Sequence, residues 1–144
     1  LKAYYDIGCE HPTFLQCRGV SKDESTNNYG LVMHFASMGS LRQNLLHVSQ
    51  MKWSEKLSLL SNIAFDLQLI HSHNIIHRDL HSGNILQNKL YSAYIGDLGI
   101  AISIDEESET KFKGVYGNLP YISPEVLQGK SYEKLSDIYS FGII

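Results

Sequence analysis

The sequence contains 144 residues, of which 43% are hydrophobic, and its 12 basic and 15 acidic side chains give a formal net charge of -3. This composition can build one hydrophobic core and excludes a disordered or fibrous chain. The balance of charges provides no basic surface, so we expect neither a nucleic-acid nor a membrane partner. No run of about 18 apolar residues is present, so the sequence predicts no membrane-spanning helix.

The chain has two cysteines, Cys9 and Cys17. Two thiols are too few for a disulfide framework, and they lack the second pair that a structural zinc site needs. We therefore expect a reducing, intracellular compartment, the cytoplasm. Because the sequence begins at Leu1 and not at Met, we also expect the natural N-terminus to lie upstream.

The first elements along the chain are two predicted strands, at residues 14–19 and 29–35. The polar stretch 21–28 between them is typical of a turn. Ser40 can cap a short helix that continues to Leu46, and Ser54 can cap a longer one. The apolar residues of the longer helix recur at helical spacing and predict its buried face: Leu57, Leu60, Ile63, Ala64, Leu67 and Ile70.

The second half of the chain starts with an apolar segment at residues 75–80 and a polar loop that ends at Asn84. A hairpin of residues 85–87 and 93–95 is predicted next, with its turn near Asn88 and Lys89. Residues 103–117 are polar and show no periodic pattern, which is typical of a functional loop and suits phosphorylation. Ser136 and Asp137 then start an apolar helix over residues 138–144.

Three side chains with oxygen atoms are expected to meet around the predicted hairpin. Asp79 and Asn84 share one loop, and Asp97 returns beside them on the far strand. Carboxylate and amide oxygens suit Mg²⁺, which fills its other positions with water and phosphate oxygens. The cluster therefore predicts a site that holds a nucleotide triphosphate for in-line phosphoryl transfer.

The motifs around this cluster resemble those of the eukaryotic protein kinase domain, of the tyrosine-kinase-like or serine/threonine type. The matching segments, in the order that the family has them, are the catalytic loop His77-Arg78-Asp79-Leu80-His81-Ser82-Gly83-Asn84, the metal-binding motif Asp97-Leu98-Gly99, Ser123-Pro124-Glu125 and Asp137. The resemblance implies an α+β, protein-kinase-like fold that is incomplete. Residues 1–36 would be the end of the β-rich small lobe with the hinge. Residues 37–144 would be the large lobe, mainly α-helical and truncated in its central helix.

The resemblance also implies catalytic roles. Asp79 would orient the substrate hydroxyl and accept its proton, while Asn84 and Asp97 would hold Mg²⁺ against the phosphates of ATP. His81 could donate to a phosphate oxygen, and His77 would brace the loop. Arg78 would pair with a phosphorylated side chain in the loop after Asp97, because a guanidinium binds phosphate in a bidentate manner. Its candidate partners are Ser103, Ser108, Thr110 and Tyr116.

The nucleotide site implied by the resemblance begins at the hinge. Met33 would be the gatekeeper, backbone groups of His34 and Ala36 would bind the adenine edge, Ser40 would lie near the ribose, and Leu86 would pack beneath the ring. In the large lobe, Glu125 would pair with an arginine from outside these residues. Asp137 would accept hydrogen bonds from backbone amides of the catalytic loop.

Some positions depart from the family pattern. His81 replaces a lysine of typical serine/threonine kinases and Asn118 replaces a threonine, so the choice between serine/threonine and tyrosine hydroxyls stays open. Neither a glycine-rich loop nor a phosphate-binding lysine on a third strand occurs in the 144 residues. We therefore expect the chain to be part of a longer kinase and a poor catalyst by itself. Two alternatives remain: a non-catalytic pseudokinase or protein-binding module, and a small-molecule phosphotransferase with the same fold.

Overall fold

The computed structural model describes residues 2–104 and 114–144. The elements, in chain order, are α1 (Lys2–Glu10), β1 (Cys17–Asp23), β2 (Asn28–Met33), α2 (Leu41–Ser49), α3 (Trp53–Ser72), β3 (Ile75–Ile76), β4 (Ile85–Lys89), β5 (Ser92–Ile95), β6 (Ile102–Ser103), a 3₁₀ turn (Leu119–Tyr121), α4 (Pro124–Leu127) and α5 (Lys134–Ile143). Helices and strands both contribute, so the predicted α+β class is confirmed. Within the described ranges no helix has the length and apolar character needed to cross a membrane.

The six strands form three antiparallel pairs, β1 with β2, β3 with β6, and β4 with β5. In the first pair, the predicted bounds of the first strand, residues 14–19, are wrong. β1 begins at Cys17 and continues to Asp23. The predicted turn at 21–28 is shortened accordingly, since Lys22 pairs with Tyr29 and Asp23 with Asn28. Polar residues form a strand here because backbone hydrogen bonds, and not side-chain burial, hold the ladder.

The two predicted helices of the middle region are longer than expected. α2 continues to Ser49, and the Ser40 amide donates to Gln43 Oε1 over 2.8 Å, half of a capping box. α3 starts at Trp53, so Ser54 is not its cap. Instead, the amide of Lys52 donates to Glu55 Oε2 over 2.8 Å.

The buried face of α3 is rotated relative to the predicted one. Ile63, Leu67 and Ile70 are buried as predicted, but Leu57 and Ala64 are exposed. The residues that take their place in the interior are Leu59, Asp66 and Leu69. The prediction missed Asp66 because a carboxylate is not expected on a buried face.

The later elements agree with the predicted order and differ in their ends. The hairpin β4–β5 is present, but its turn lies at Leu90 and Tyr91 because β4 continues to Lys89. Ser103 belongs to β6, where it pairs with Ile75, and not to an unpatterned loop. α5 begins at Lys134, upstream of the predicted start.

One main hydrophobic core connects the two ends of the described chain. Ile7 of α1 and Phe14 lie in it together with Ile63 and Ile70 of α3 and Ile95 of β5. A second, smaller cluster lies on the other side of β3 and consists of Ile76, Ile122, Val126 and Tyr132. The catalytic-loop residues 77–84 follow β3 directly and run between these two clusters.

Candidate active site

The loop after β3 is anchored by one buried carboxylate. Asp137 of α5 accepts hydrogen bonds from the amides of His77, at 2.8 Å, and Arg78, at 2.9 Å, and it is 1% exposed. His71 Nε2 lies 2.9 Å from the same carboxylate, so that nitrogen carries the proton. Charge-assisted bonds of this kind are among the stronger ones in proteins, and these hold Arg78 at a left-handed φ of 68°.

The His77 ring is fully buried and braces the same loop. Nε2 lies 2.9 Å from the Gly96 carbonyl, which can only accept, and Nδ1 accepts from the Asp79 amide at 3.2 Å. The two partners therefore select the neutral tautomer that is protonated at Nε2. Through this ring, the backbone of Asp79 is connected to the residue that precedes Asp97.

Asn84 contacts Asp79 directly, and its backbone bonds the residue that precedes Asp97. Asn84 Nδ2 donates to the Asp79 carbonyl at 2.9 Å and to Asp79 Oδ2 at 3.3 Å. The Asn84 carbonyl accepts from the Gly96 amide at 2.8 Å, and Asp97 follows directly. The Asn84 side chain thus contacts Asp79, and the exposed Asp97 follows the glycine that bonds the Asn84 backbone. An amide and a carboxylate oxygen fit Mg²⁺, which takes its remaining ligands from water and phosphate.

The Asp97 motif has an unusual backbone. Asp97 has a φ of 59°, and its Oδ1 accepts from the Gly99 amide at 3.2 Å. The Leu98 amide donates to the hydroxyl of Tyr4 in α1, at 3.0 Å. Tyr4 is 5% exposed, and this burial raises the pKa of its hydroxyl. No sequence pattern indicated this contact, which joins two residues 94 positions apart.

His81 lies beside Asp79. Its Nδ1 accepts from the Gly83 amide at 2.9 Å, so a neutral ring carries its proton on Nε2, which is 3.6 Å from Asp79 Oδ1. Burial lowers the pKa of His81, and the negative charge of Asp79 partly opposes this effect. The neutral ring therefore presents an N–H toward the Asp79 carboxylate.

A pocket of about 340 Å³ lies on the other side of Asp97, within the size range of ligand sites. Three of the predicted nucleotide residues line it, Met33, Leu86 and Asp97, and so do Tyr4 and Leu98. The other predicted hinge residues are outside its lining. The pocket is therefore built from the β2 end, the β4 start and the Asp97 motif.

The hinge after β2 has backbone groups that are already committed. The His34 amide donates to the Gln16 carbonyl at 2.8 Å, and the Ala36 carbonyl accepts from the Gly39 amide at 3.0 Å. Ser40 forms an isolated bridge with Leu86, which ties the start of α2 to β4. Among the hydrogen bonds of the described residues, none occupies the His34 carbonyl or the Ala36 amide, which leaves these two groups open to a ligand.

Arg78 faces the chain that returns from residue 114. Its guanidinium carbon lies 5.2 Å from the ring centroid of Tyr116 and 5.4 Å from that of Tyr132, and its Nε donates to the Ile100 carbonyl at 2.7 Å. Ser103 lies in β6, and the candidates Ser108 and Thr110 are outside the described residues. Of the four candidate phosphate carriers, Tyr116 is placed directly against Arg78.

Two further carboxylates lie outside the group formed by Asp79, Asn84 and Asp97: Glu125, which the sequence predicted as a site residue, and the buried Asp66. Glu125 is in the first turn of α4, and no ion pair of it occurs in the part of the chain that the structure describes. Asp66 of α3 accepts from the Ile95 amide at 2.9 Å. Burial raises the pKa of Asp66 to about 7, while that hydrogen bond lowers it. Asp66 thus connects α3 to the last residue of β5, two positions before Asp97, a role that no motif indicated.

Comparison with known proteins gives the same assignment as the geometry. The family model for protein tyrosine and serine/threonine kinases matches residues 6–144. A probable serine/threonine-protein kinase of Dictyostelium discoideum is 38% identical over 143 residues, covering 94% of this chain and 10% of the relative. The probable serine/threonine-protein kinase PknB of Lactococcus lactis is 32% identical, with 93% of this chain and 21% of the relative covered.

A probable LIM domain-containing serine/threonine-protein kinase of Dictyostelium discoideum is also 32% identical over 139 residues, covering 96% of this chain and 21% of the relative. The chain thus spans between a tenth and about a fifth of the length of these relatives. The family match includes the catalytic loop, the Asp97 motif, the Pro124-Glu125 segment and Asp137, in the predicted order. The chain belongs to the protein tyrosine and serine/threonine kinase family and has its kinase-like α+β fold.

Proposed function

We propose that the protein transfers the γ-phosphate of ATP to a serine or threonine hydroxyl of a protein substrate. The observation that carries this proposal is the arrangement of Asp79, Asn84 and Asp97, in which one asparagine bonds both the backbone and the carboxylate of Asp79. The choice of serine or threonine is supported by the relatives described above, each of which is named a probable serine/threonine-protein kinase.

Each residue of the centre has a separate task in this proposal. The Asp79 carboxylate orients the incoming hydroxyl and accepts its proton, and the His81 Nε2–H lies at its edge. The Asn84 oxygen and the Asp97 carboxylate hold Mg²⁺, which neutralises charge on the phosphates when it is bound. Asp137 and His77 keep the loop in place, so that little reorganisation accompanies transfer.

The nucleotide would lie in the pocket between Met33 and Leu86, with its adenine edge on the His34 carbonyl and the Ala36 amide. Kinase chemistry also uses a lysine on a third small-lobe strand and a glycine-rich loop, neither of which is among these 144 residues. We therefore expect the chain by itself to be a poor catalyst. ATP as donor and the two free cysteines favour an intracellular location.

The test uses a longer chain with the complete kinase domain, radiolabelled ATP, Mg²⁺ and casein as acceptor. Asp79→Asn should lower kcat by about a hundredfold to ten-thousandfold and leave ATP affinity nearly unchanged, because only the proton acceptor is lost. Asp97→Asn should weaken Mg²⁺-dependent ATP binding measured by calorimetry. Asp6→Asn on α1 is the control and should change neither quantity.

The outcomes separate the competing hypotheses. Radiolabelled phosphoserine or phosphothreonine in casein supports the proposal. If only phosphotyrosine is labelled, the protein is a tyrosine kinase and the proposed substrate class is wrong. If the longer chain binds ATP in neither the presence nor the absence of Mg²⁺, the pseudokinase hypothesis is correct and the roles given to Asp79, Asn84 and Asp97 are wrong.

A further inference from the structure

Tyr132, in the segment between α4 and α5, makes two hydrogen bonds to one residue. Its hydroxyl accepts from the Tyr116 amide at 2.9 Å and donates to the Tyr116 carbonyl. The Tyr132 side chain is buried, at 7% exposed, in the cluster with Ile122 and Val126. Burial raises the pKa of this hydroxyl, so it stays neutral near pH 7 and can donate and accept at once.

The segment that Tyr132 fixes runs directly over the catalytic loop. Gly117 follows Tyr116 with a φ of 106°, and a Cβ placed on it would lie 2.8 Å from the Arg78 carbonyl and 3.4 Å from Asp79 Oδ1. Glycine is required there because both the backbone conformation and the close approach exclude a side chain. Any shift of Tyr116 would therefore change the distance between this segment and Asp79.

The same segment forms a wall of the open site around Asp79. An exposed depression of about 500 Å³ is lined by Asp79 and His81 on one side and by Gly117, Asn118 and Leu119 on the other. The nucleotide pocket near Met33 and Leu98 has a separate set of lining residues. A molecule that reaches Asp79 from the open side would consequently contact residues 117–119.

Arg78 connects the two tyrosines to the catalytic loop. Its guanidinium lies within cation–π distance of both rings, 5.2 Å from that of Tyr116 and 5.4 Å from that of Tyr132. The ring of Tyr132 thus contacts Arg78, the residue before Asp79. Its hydroxyl bonds Tyr116, at the start of the segment that lies over Asp79. The Tyr132 side chain therefore contacts both walls of the depression around Asp79: the loop with Arg78, and the segment that begins at Tyr116.

We propose that Tyr132 is a positioning residue for the phosphate acceptor. Its hydroxyl bonds both the amide and the carbonyl of Tyr116 and so holds residues 117–119 at a fixed distance from Asp79. This distance shapes the site that receives the phosphate acceptor. The part of this inference that concerns transfer rests on the proposed function. The part that concerns the placement of residues 116–119 does not depend on it.

The first experiment measures amide hydrogen exchange in the full chain, for wild type and Tyr132→Phe. The substitution keeps the ring, and with it the Arg78 contact, and removes only the hydroxyl. We expect exchange at the Tyr116 amide to be about tenfold faster, and exchange in residues 117–119 to be faster too, with α3 unchanged. The control is Tyr139→Phe, a more exposed tyrosine of α5, which should leave exchange unaltered. Equal exchange in wild type and Tyr132→Phe overturns the proposal.

The second experiment measures steady-state transfer to casein by the longer chain with the complete kinase domain. Tyr132→Phe should raise the KM for casein about fivefold to tenfold and change the KM for ATP by less than twofold. A purely structural role would not separate the two constants, so equal effects on both would overturn the inference. If wild type transfers no phosphate, the proposed function fails, and hydrogen exchange alone still decides whether Tyr132 fixes residues 116–119.

Discussion

The catalytic loop and the β1–β2 hairpin are held in place by different kinds of interaction. The loop is fixed by buried side chains that are distant in sequence, since Asp137 reaches the amides of His77 and Arg78 from about 60 residues away. The hairpin is fixed by its own backbone ladder, and nearly all of its side chains face solvent, including Tyr29 at 73% exposed. An isolated two-stranded hairpin is marginally stable in water.

This difference has a consequence for mutations. Removing one acceptor in the catalytic loop leaves buried donors without partners, which costs far more than the net value of a hydrogen bond. Removing a polar group from the hairpin lets water replace it. Substitutions of similar size should therefore have large effects near the loop and small effects on the hairpin.

The largest effect is expected from Asp137→Asn. Both oxygens of Asp137 accept from buried amides, so an asparagine must turn its NH₂ group toward one of two donors, His77 or Arg78. At least one buried amide then has no acceptor, and we expect the free energy of unfolding to fall by about 3 kcal/mol. Urea denaturation measures this value. Asp6→Asn, at a half-buried position of α1, is the control, and a loss no larger than that of this control would contradict the anchoring role.

The loop and the hairpin also differ in how well sequence predicted them. The positions of Asp79, Asn84 and Asp97 followed from motif spacing and from the β4–β5 pairing, because turn residues and alternating apolar residues indicate that hairpin directly. The extent of β1 was mispredicted, since a strand exposed on both faces has no alternation and its residues 21–23 are polar. Local polarity cannot distinguish such a strand from a turn.

The supporting residues of the site were not predictable in the same way. Tyr4, Asp66 and Tyr132 each bond the backbone of a residue that is 94, 29 or 16 positions away. A single tyrosine or aspartate belongs to no periodic pattern, and its partner is set by tertiary packing. The family motifs include the residues that carry the chemistry and omit those that hold the motifs in place.

The next effect in size concerns Asp66 and pH. Its pKa is raised to about 7, so between pH 4 and pH 7 the folded state binds more protons than the unfolded one. Stability should therefore fall as pH rises through this interval, by about 2 kcal/mol in total. Asp66→Asn can still accept from Ile95 but does not titrate, so it should remove this fall.

The measurement is urea denaturation from pH 5 to pH 8 for wild type and Asp66→Asn. Arg18, His34 and Tyr94 line the pocket of about 470 Å³ that Asp66 faces, and taking the difference between the two proteins removes the contributions that both share. The variant should be more stable than wild type at pH 8 and approach it at pH 5. Parallel curves over the whole range would show that Asp66 is not protonated in the folded state.

A smaller effect is expected from Tyr4→Phe, because the Tyr4 hydroxyl connects α1 to the Asp97 motif. The substitution keeps the packed ring and removes the acceptor of the Leu98 amide. We expect a loss of about 1 kcal/mol in unfolding free energy, with faster exchange at the Leu98 amide. Tyr5→Phe is the matched control, because its neighbouring ring is 67% exposed. If the two variants have the same unfolding free energy and the same exchange rate at the Leu98 amide, Tyr4 does not help to position Asp97.

The smallest effect is expected at the hairpin turn. Asp23 accepts from the Ser25 amide at 2.9 Å, the Ser25 hydroxyl at 2.7 Å and the Thr26 hydroxyl at 2.7 Å. These hydrogen bonds lower the pKa of Asp23 to about 2. Because the folded-state pKa lies below the ordinary value of 3.8, the stabilisation is complete above pH 4 and is lost as pH falls toward 2.

Asp23→Asn should speed amide exchange within β1 and β2 and leave global unfolding unchanged at pH 7, because the carboxylate is fully exposed and water can replace it. In the NMR titration of wild type, Asp23 should still be ionised at pH 3, whereas Ser25→Ala should move its midpoint upward. A global destabilisation as large as that of Tyr4→Phe would contradict the comparison. The hairpin would then be coupled to the core through more than its backbone ladder, and its exposed strands would have to be counted among the elements that hold the catalytic loop.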